Sequence, residues 1–477
     1  MLSSALQRVD ERKIPFRETA LWIFVAGAAF YLAYWFGSAS LLIVLYLFAL
    51  VQLAQSTTSR RAFYSGLTVG FLIAAGWLAF FWRIFSAGTV ALWFVYAFWI
   101  GLFTVLVQLW LSRFRSKWSW MLLPFIWCGL EYFRSELYYL RFSWLTPGFA
   151  LASNVELLPF SHLGTYGIGF ALMSVACGAA FLWRTSRGGA LAVLLAGAIG
   201  VRIWGWAAEP KQDPQPHNDL RLAGVQLEFP TEKQVCTWLS ELVRRHPEAE
   251  LLVLSEYTFA TPIPESVLAW CRDHKRYLIV GGKEPVSTNR FYNTAFVISP
   301  AGEVVFRQSK AVPIQFFDDG LPAPRQAIWQ SPWGRIGICI CYDLSYTRVT
   351  DRLARQGAQA LVVPTMDVED WGKRQHELHG RIGPVRAAEY QIPIFRLASS
   401  GISQAIDSTG HVVASAPCRG DGAMIAASLP LRGSARLPVD RLLAPMSAAV
   451  TTIALFVLIA PAAQSKIKAP GGQGRLV

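Results

Sequence analysis

Seven apolar stretches fill most of the first 207 positions, and they limit the possible fold more than any other feature. Roughly 20 apolar residues make a helix long enough to cross a bilayer. We predict such spans at 19–36, 38–56, 62–82, 87–112, 119–135, 156–183 and 188–207, and an eighth at 441–462. Residues 208–440 have the mixed composition of a globular domain with its own core. The sequence thus predicts a membrane domain (1–207), a water-facing domain (208–440), and a last span with its tail (441–477).

The average composition supports this division. Only 16% of the residues are charged, whereas a soluble domain carries about 25%. The net charge of +13 would also suit nucleic-acid binding. However, much of the excess lies beside apolar spans, where basic residues set the orientation of a membrane protein. We therefore predict a membrane-embedded protein that does not bind nucleic acid.

Basic residues are concentrated in every second loop between the predicted spans. One set of loops and ends holds Arg8, Arg12, Lys13, Arg17, Arg60, Arg61, Arg113, Arg115, Lys117, Arg184, Arg187, Lys466, Lys468 and Arg475. The opposite set of short loops holds mainly Arg83, Arg134 and Arg141. Because basic loops stay in the cytoplasm, we predict cytoplasmic termini and a globular domain on the outer side. A transporter body is the alternative for the spans, but a proton-coupled carrier usually has several intramembrane carboxylates, and here Glu131 is the main one.

The globular domain alternates apolar runs with helical stretches. Buried strands are predicted at 220–226, 250–255, 277–281, 293–299, 335–341 and 359–363, and helices at 232–246, 264–274, 346–357 and 373–390. Such alternation is typical of an α/β sandwich. Reactive side chains in these folds commonly follow the end of a strand. Glu256 ends one predicted strand, Cys341 ends another, and Lys310 follows a strand pair.

These three side chains suit acyl transfer. A carboxylate in a dry pocket has a raised pKa and can deprotonate a thiol. An ammonium group can then stabilise the oxyanion that forms when the thiolate attacks a carbonyl. We therefore predict Cys341 as nucleophile, Glu256 as base and Lys310 as oxyanion stabiliser.

The remaining cysteines and two histidines receive simpler interpretations. The seven cysteines are Cys128, Cys177, Cys236, Cys271, Cys339, Cys341 and Cys418, and their spacing matches neither a zinc site nor a disulfide framework. Cys339 would share a strand face with Cys341, and we expect it to be a small core residue rather than a second thiol of the site. His376 and His379 are one helical turn apart, but no third metal ligand is evident nearby. We expect ordinary helix-surface roles for both and no metal site.

The domain resembles the nitrilase, or carbon–nitrogen hydrolase, superfamily. The resemblance rests on the order Glu256, Lys310, Cys341, on GICICYD around the thiol, and on FYNTAFVISPAGEV (291–304), RAAEY (386–390) and SSGISQAIDSTG (399–410). It implies a Glu–Lys–Cys triad on a nitrilase-like α-β-β-α sandwich, here joined to a polytopic α-helical membrane domain of about eight spans. It also implies an enzyme that needs no metal or cofactor.

Within that superfamily, the chain is similar to the apolipoprotein N-acyltransferase family. In the membrane domain, the resemblance rests on Pro124, Trp127, Glu131 and Arg134, on FSWLTPG (142–148) and on GTYGIGF (164–170). In the globular domain, VQLEFP (225–230) and WGKRQH (371–376) also agree. The resemblance implies a multi-pass enzyme of the bacterial inner membrane with a periplasmic catalytic domain. Its acyl donor would be a phospholipid and its acceptor a diacylglyceryl-modified apolipoprotein. The alternative is a membrane-bound amidase or esterase that uses the same triad with water as acceptor.

The sequence departs from this family at three positions. The family has a second glutamate after the lysine; here the stretch reads PIQFFDDG, with Asp318 as our candidate and Asp319 as the competitor. Asp343 stands where the family usually has Glu after Cys-Tyr, and we predict supporting roles for Tyr342 and Asp343. The family's Trp after the first strand has only the later Trp238 as a counterpart. We also expect Phe316, Phe317 and Trp371 to line the entry to the site.

Overall fold

The computed structural model describes residues 15–55, 58–183, 185–207 and 218–460. Before the first strand it is helical, with α1 (Phe16–Trp35), α2 (Ile43–Ala54), α3 (Ser59–Trp77), α4 (Phe81–Phe85), α5 (Gly88–Arg113), α6 (Leu123–Tyr132), α7 (Pro147–Ala150), α8 (Phe160–Trp183) and α9 (Arg187–Ala207). A short π-helical turn, Phe133–Leu137, continues α6. After the last strand, α15 (Asp440–Ile459) returns to this helical region and packs against α6 and α8.

Five of the described helical segments are long and apolar enough to cross a membrane. They are Phe16–Trp35, Gly37–Ala54, Gly88–Arg113, Phe160–Trp183 and Asp440–Ile459. Each overlaps one of the eight predicted spans. The polytopic helical character is therefore confirmed, whereas the count of eight spans stays a prediction.

Small residues allow the membrane helices to approach closely. Gly66 and Gly70, four positions apart on α3, face α5: a methyl group at Gly70 would lie 2.6 Å from the Cα of Ala97. This small-xxx-small spacing brings helix backbones together where apolar burial gives no advantage over lipid. The same reasoning applies to Gly129 of α6, which lies against the backbone of α15.

The basic loops lie at the end of the helices away from the sheet domain. Arg61, at the start of α3, donates to Thr19 near the start of α1, at 2.6 Å. Arg113, at the end of α5, donates to the carbonyl of Val457 near the end of α15, at 2.8 Å. Arg83 instead donates to the carbonyl of Asp370 in the sheet domain, at 3.2 Å. Arg8, Arg12, Lys13, Arg184, Lys466, Lys468 and Arg475 lie outside the described residues.

Two six-stranded sheets form the second part of the molecule. The first has the order β12-β1-β2-β3-β4-β5 and the second β11-β10-β9-β8-β7-β6. The strands are β1 (Asn218–Leu227), β2 (Leu251–Val253), β3 (Tyr277–Ser287), β4 (Arg290–Ile298), β5 (Val304–Ser309), β6 (Ile328–Ser331), β7 (Gly334–Ile338), β8 (Ala360–Thr365), β9 (Ile394–Ala398), β10 (Ser403–Ile406), β11 (Val412–Ala416) and β12 (Asp421–Leu431). The central pairs β1–β2, β2–β3, β7–β8 and β8–β9 are parallel.

Helices cover both outer faces of this sheet pair. On the first sheet lie α10 (Glu232–Arg245) and α11 (Glu265–His274), whose Leu239, Leu242 and Trp270 share a core with the strands. A capping box starts α10: Thr231 Oγ1 accepts from the Gln234 amide, and Gln234 Oε1 accepts from the Thr231 amide. On the second sheet lie α12 (Thr347–Arg355), α13 (Lys373–Gly380) and α14 (Ile382–Tyr390). The architecture is the predicted α-β-β-α sandwich.

Buried polar contacts join the sandwich to the membrane helices. Glu389 on α14 accepts from the backbone and hydroxyl of Thr165 on α8 and pairs with Arg386. Glu136 accepts from the Thr347 amide at 2.9 Å, and Trp144 Nε1 donates to Ser345 Oγ at 3.1 Å. Because a buried charge is costly unless it is paired, these contacts hold the two parts in a fixed arrangement.

The predicted strands and helices of the sandwich are present, with two differences. The predicted helix 373–390 is two helices, because α13 ends at Gly380 and α14 begins at Ile382. Strands β6 and β9–β12 were not among the predicted strands. They are short or carry polar and small residues, so their apolar pattern is weak.

Candidate active site

Cys341, Glu256 and Lys310 each follow the end of a strand. Cys341 lies three residues after β7 and opens a 3₁₀ turn, Cys341–Ser345, with φ of 52°. A positive φ at a side chain other than glycine costs free energy and often occurs at functional sites. Glu256 follows β2, and the approach of β3 is so close that a methyl group on Gly281 would lie 2.6 Å from the Cα of Glu256. Lys310 follows β5, and its amide donates to the Asn293 carbonyl at 2.7 Å.

The structure brings these three residues together in a buried, hydrogen-bonded cluster. Lys310 Nζ lies 2.8 Å from Glu256 Oε1, and both side chains are about 1% exposed. Asn293 Nδ2 also donates to Glu256 Oε1, at 2.6 Å, and the Met366 amide donates to Oε2 at 2.8 Å. The Cys341 thiol donates to the Met366 carbonyl at 3.7 Å. Met366 therefore joins the thiol and the carboxylate through its own backbone.

Burial dominates the protonation of this cluster. It raises the pKa of Glu256, although Lys310 and Asn293 oppose the shift. It also raises the pKa of Cys341 well above its usual value, with Glu256 adding to the effect. Burial by itself would lower the pKa of Lys310, but the carboxylates of Asp319 and Glu256 outweigh burial and raise the pKa of the ammonium. The resting cluster thus holds a neutral thiol, a charged lysine and a carboxylate that protonates more readily than usual.

The supporting acid beside the lysine is Asp319, not Asp318. Asp319 Oδ2 lies 2.7 Å from Lys310 Nζ, and Asp319 is 5% exposed. Tyr257 OH donates to Asp319 Oδ1 at 2.9 Å, and the Ile314 amide donates to Oδ2 at 2.8 Å. Asp318 is exposed. The turn directs the second aspartate inward and the first outward, which corrects our choice between the two.

Asp343 and Tyr342 support the cysteine turn in different ways. The Asp343 carboxylate accepts from the amides of Ala311, Val312 and Ile340, the last at 3.2 Å. It thereby joins the turn at Cys341 to the segment that follows Lys310. Burial raises the pKa of Asp343 to about 6, although these amides oppose the shift. Tyr342 OH donates to the carbonyl of Arg141 in the membrane region, at 3.1 Å.

His376 and His379 are buried, so the expectation of helix-surface roles was wrong. His376 contacts the Val368 carbonyl of the sandwich through Nε2, at 3.0 Å, and His379 contacts Trp144 of the membrane region. His379 Nδ1 lies 2.8 Å from Asp367 Oδ1, and its ring stacks on Trp144 at 4.9 Å. Among the described residues, no group of three or more His, Cys, Asp or Glu side chains is placed to hold a metal ion. Cys339 is a fully buried core residue, as predicted.

Sequence reasoning missed Asn293 and the Asp367 cluster. Asn293 lies in the FYNTAFVISPAGEV motif, where a polar residue inside an apolar strand was the available signal. Asp367 accepts from Gln375 and His379 and pairs with Arg396 at 2.5 Å. Asp367 lies two residues after the end of β8, the same kind of position that marked Cys341 and Glu256.

An apolar cavity of about 980 Å³, its open side included, leads to Cys341. Membrane helices supply one wall, with Leu78, Phe85 and Trp99, and the sandwich supplies the other, with Phe316, Phe317 and Trp371. The last three are the aromatic residues expected at the entry. Phe85 contacts both Phe316 and Phe317, with ring centroids 6.0 and 5.8 Å apart. The cavity's mainly aromatic and aliphatic lining suits an apolar ligand.

Comparison with known families divides the chain in the same way. The carbon–nitrogen hydrolase model matches residues 234–434, and the model of the apolipoprotein N-acyltransferase N-terminal domain matches residues 21–178. The protein is thus a carbon–nitrogen hydrolase domain built onto a region of apolar helices. More narrowly, the chain belongs to the apolipoprotein N-acyltransferase family, because the model of that family's N-terminal domain and the carbon–nitrogen hydrolase model both match this chain, over separate segments.

Curated relatives carry the same family name. An apolipoprotein N-acyltransferase of Geobacter metallireducens is 25% identical over 341 residues, which is 61% of this chain and 64% of that protein. Another, from Bdellovibrio bacteriovorus, is 24% identical over 218 residues, 37% of this chain and 39% of that protein. The matched part is therefore less than two thirds of either relative. Among solved structures, a carbon–nitrogen hydrolase of Helicobacter pylori aligns with a TM-score of 0.40 and 16% identity, over 50% of this chain and 94% of that one.

Proposed function

We propose that the protein transfers an acyl chain from a membrane phospholipid to the N-terminal amine of the lipidated cysteine of lipoproteins, through a thioester on Cys341. The observation that carries this proposal is the apolar cavity. One of its walls comes from apolar helices, and Cys341 lies on its surface. An acyl chain in that cavity would place its ester at the thiol. The family membership and the names of the relatives agree with the proposal.

In the first half-reaction, the Glu256 carboxylate takes the proton of the Cys341 thiol. The thiolate attacks the ester carbonyl carbon, and a carbon–sulfur bond forms. The oxyanion is stabilised by the ammonium of Lys310, which Asp319 and Glu256 hold in place at 2.7 and 2.8 Å. The carbon–oxygen bond then breaks, and Glu256 returns the proton to the departing lysophospholipid hydroxyl.

In the second half-reaction, the neutral α-amine of the lipidated cysteine attacks the thioester carbonyl. A carbon–nitrogen bond forms, Glu256 takes a proton from the nitrogen, and the carbon–sulfur bond breaks. The thiolate recovers its proton from Glu256, so the enzyme returns to its starting state. A raised pKa suits a group that accepts and gives back a proton in this way.

We also propose the arrangement in the membrane. Residues 1–207 and 441–477 form the membrane part, and residues 208–440 the catalytic domain on the periplasmic side of a bacterial inner membrane, with both termini in the cytoplasm. The described basic loops support this, because they lie at the helix ends away from the sandwich. With Cys236 and Cys418 replaced by Ser, a membrane-impermeant thiol reagent should label Arg290→Cys in whole cells whose outer membrane is permeabilised, but not Lys117→Cys. The reverse pattern would contradict this orientation.

The transfer reaction itself is tested with purified protein, acyl-labelled phospholipid and a diacylated lipopeptide. We expect labelled amide to form with the wild type and not with Cys341→Ala. Cys339→Ala is the matched control, because it removes a neighbouring buried thiol and leaves the proposed nucleophile. If the wild type releases only free labelled fatty acid while the lipopeptide amine stays free, the protein is a hydrolase that uses water as acceptor.

A further inference from the structure

Arg141 and Arg134 are the two arginines in the wall of a largely apolar cavity, and the Arg134 guanidinium already donates to the Phe142 carbonyl at 2.7 Å. Arg141 lines the same cavity as Cys341, and its backbone carbonyl accepts from the hydroxyl of Tyr342, the residue after that cysteine, at 3.1 Å. Its guanidinium carbon lies 5.6 Å from the ring centroid of Tyr346. Its buried Nε has no hydrogen-bond partner within the described part of the chain. A cation placed in this way gains little from the protein itself, apart from the ring face.

A second guanidinium shares the same ring. Arg348, at the start of α12, lies 5.2 Å from the Tyr346 centroid and donates to the carbonyl of Glu136 at 3.3 Å. Within residues 15–55, 58–183, 185–207 and 218–460, no Asp or Glu oxygen lies within 4.0 Å of a side-chain nitrogen of Arg141 or Arg348. Burial and then Arg141 lower the pKa of Arg348. Two neighbouring cations without carboxylate partners form a site that an anion would stabilise.

The charged groups around this pair leave it cationic. Arg352 adds a third positive charge, and Glu136 is the acidic residue that acts on Arg348. The Glu136 carboxylate already accepts from the Thr347 amide and hydroxyl, both at 2.9 Å. It is therefore used in joining the two parts of the molecule and not in pairing with Arg141.

The surrounding residues place Arg141 near the level of lipid headgroups. Leu137 and Tyr139, in the same connection between α6 and α7, are 53% and 69% exposed. Exposed aromatic side chains at helix ends mark the border between hydrocarbon and water. In a glycerophospholipid, the phosphate and the acyl esters are attached to the same glycerol. A group that binds the phosphate must therefore lie close to the nucleophile that attacks the ester.

We propose that Arg141, with Arg348 beside it, binds the phosphate of the acyl donor and so selects phospholipids over neutral glycerolipids. This inference rests on the proposed acyl transfer and adds the specificity for its donor. Arginine suits the task because its planar guanidinium can make two parallel hydrogen bonds to one phosphate. The apolar cavity then needs to bind only the acyl chain, which all glycerolipids share.

The test compares two donors that differ only in the phosphate headgroup: a phosphatidylglycerol and the diacylglycerol with the same chains. Acylation of Cys341 is followed by mass spectrometry at increasing donor concentration in mixed micelles. A charge-assisted hydrogen bond in a partly buried site corresponds to a change of roughly 10- to 100-fold in affinity. Arg141→Gln should raise the half-saturating concentration of the phospholipid by about this factor and leave that of the diacylglycerol unchanged.

Two variants control for a structural effect. Arg141→Lys keeps the charge and should recover part of the phospholipid preference. Lys373→Gln removes one exposed cation whose ammonium lies 3.7 Å from Glu377, and it should behave like the wild type with both donors. The thermal unfolding midpoint of Arg141→Gln, compared with that of the wild type, reports whether that variant is folded.

Each outcome decides the matter. If a folded Arg141→Gln variant loses acylation by both donors equally, or by neither, Arg141 does not bind the phosphate, and this inference is overturned. If millimolar inorganic phosphate saturably inhibits the wild type and Arg141→Gln abolishes that inhibition, the residue binds free phosphate, and the assignment to a lipid is wrong. If neither donor acylates Cys341 in the wild type, the proposed function fails instead, which is a different result from all of these.

Discussion

Two buried charged clusters lie on either side of Met366, one around Glu256 and one around Asp367. The pKa of the carboxylate is shifted upward in the first cluster and downward in the second. In the first, burial raises the pKa of Glu256 despite the neighbouring Lys310. In the second, burial is outweighed by His379 and Arg396, which hold the pKa of Asp367 well below its usual range. Glu256 is thus ready to take a proton, and Asp367 stays an anion. We therefore propose that the first cluster moves protons and that the second is a structural support.

The difference follows from the partners of each carboxylate. Lys310 is shared between Glu256 and Asp319, so one cation serves two acids. Asp367 has Arg396 at 2.5 Å and accepts further hydrogen bonds from His379 and Gln375. A carboxylate with several donors of its own is stabilised in its charged form. The clusters meet at the Met366 carbonyl and amide, which contact Cys341 and Glu256.

The largest expected effect is on the first cluster. Glu256→Gln keeps the shape of the side chain but removes the base, and we expect the rate of Cys341 acylation to fall about 10²- to 10⁴-fold. The thermal midpoint should stay close to that of the wild type. A variant that is well folded and retains full activity would show that another group deprotonates the thiol.

A substitution in the second cluster should lower the free energy of unfolding. Asp367→Asn leaves Arg396 buried without its carboxylate, and we expect a loss of about 3–5 kcal/mol in unfolding free energy. Because the pKa of Asp367 is depressed in the fold, its contribution is complete above the unfolded pKa of about 3.9 and is lost as the pH falls further. The difference between variant and wild type should therefore be constant from about pH 6 to 8. Unfolding in detergent at several pH values measures it.

Asp319 and Asp318 form a matched pair one residue apart. Asp319→Asn weakens the hold on Lys310 and should lower the acylation rate about 10- to 100-fold, the worth of one charged hydrogen bond. Asp318→Asn changes the same charge on an exposed side chain and should leave the rate within about twofold. Equal effects of the two substitutions would contradict the placement of Asp319 at the site.

The smallest effect concerns pH. Glu256 must be a carboxylate to act as a base, so the acylation rate falls on acidification, with an apparent pKa above the ordinary 4.5. Asn293→Ala removes a hydrogen bond that favours the carboxylate, at 2.6 Å. The acid limb should move upward by about one pH unit. Thr294→Val, on the neighbouring position of the strand, serves as the control, and a downward shift in Asn293→Ala would reverse our view of this contact.

Much of the fold follows from apolar runs that are visible in the sequence. The strands before Glu256 and Cys341 are continuous apolar stretches, and the three site residues follow strand ends, as predicted. The choice between Asp318 and Asp319 depends on the path of the turn, where Phe316 has a φ of 70°. No periodicity in PIQFFDDG reveals that path, so the sequence left both aspartates as candidates.

His376 and His379 were predicted to have helix-surface roles, and charged residues surround them in the sequence. The helix α13 carries Lys373, Arg374 and Glu377, which suggests a solvated helix. In the structure, one of its faces is closed by the sandwich and by Trp144 from the membrane region. Burial that comes from a distant segment of the chain leaves no local signal, and the same holds for the charged Arg386 and Arg396 in the core.

The most direct test of the central claim is the mass of Cys341 after exposure to phospholipid in the absence of an acceptor. We predict an added acyl group on the peptide that contains Cys341, none in Cys341→Ala, and slow appearance in Glu256→Gln. Subsequent addition of a diacylated lipopeptide should remove the group and yield an amide. Acylation of the lipopeptide by the Cys341→Ala protein, with no acyl group on the cysteine at any time, would contradict the account.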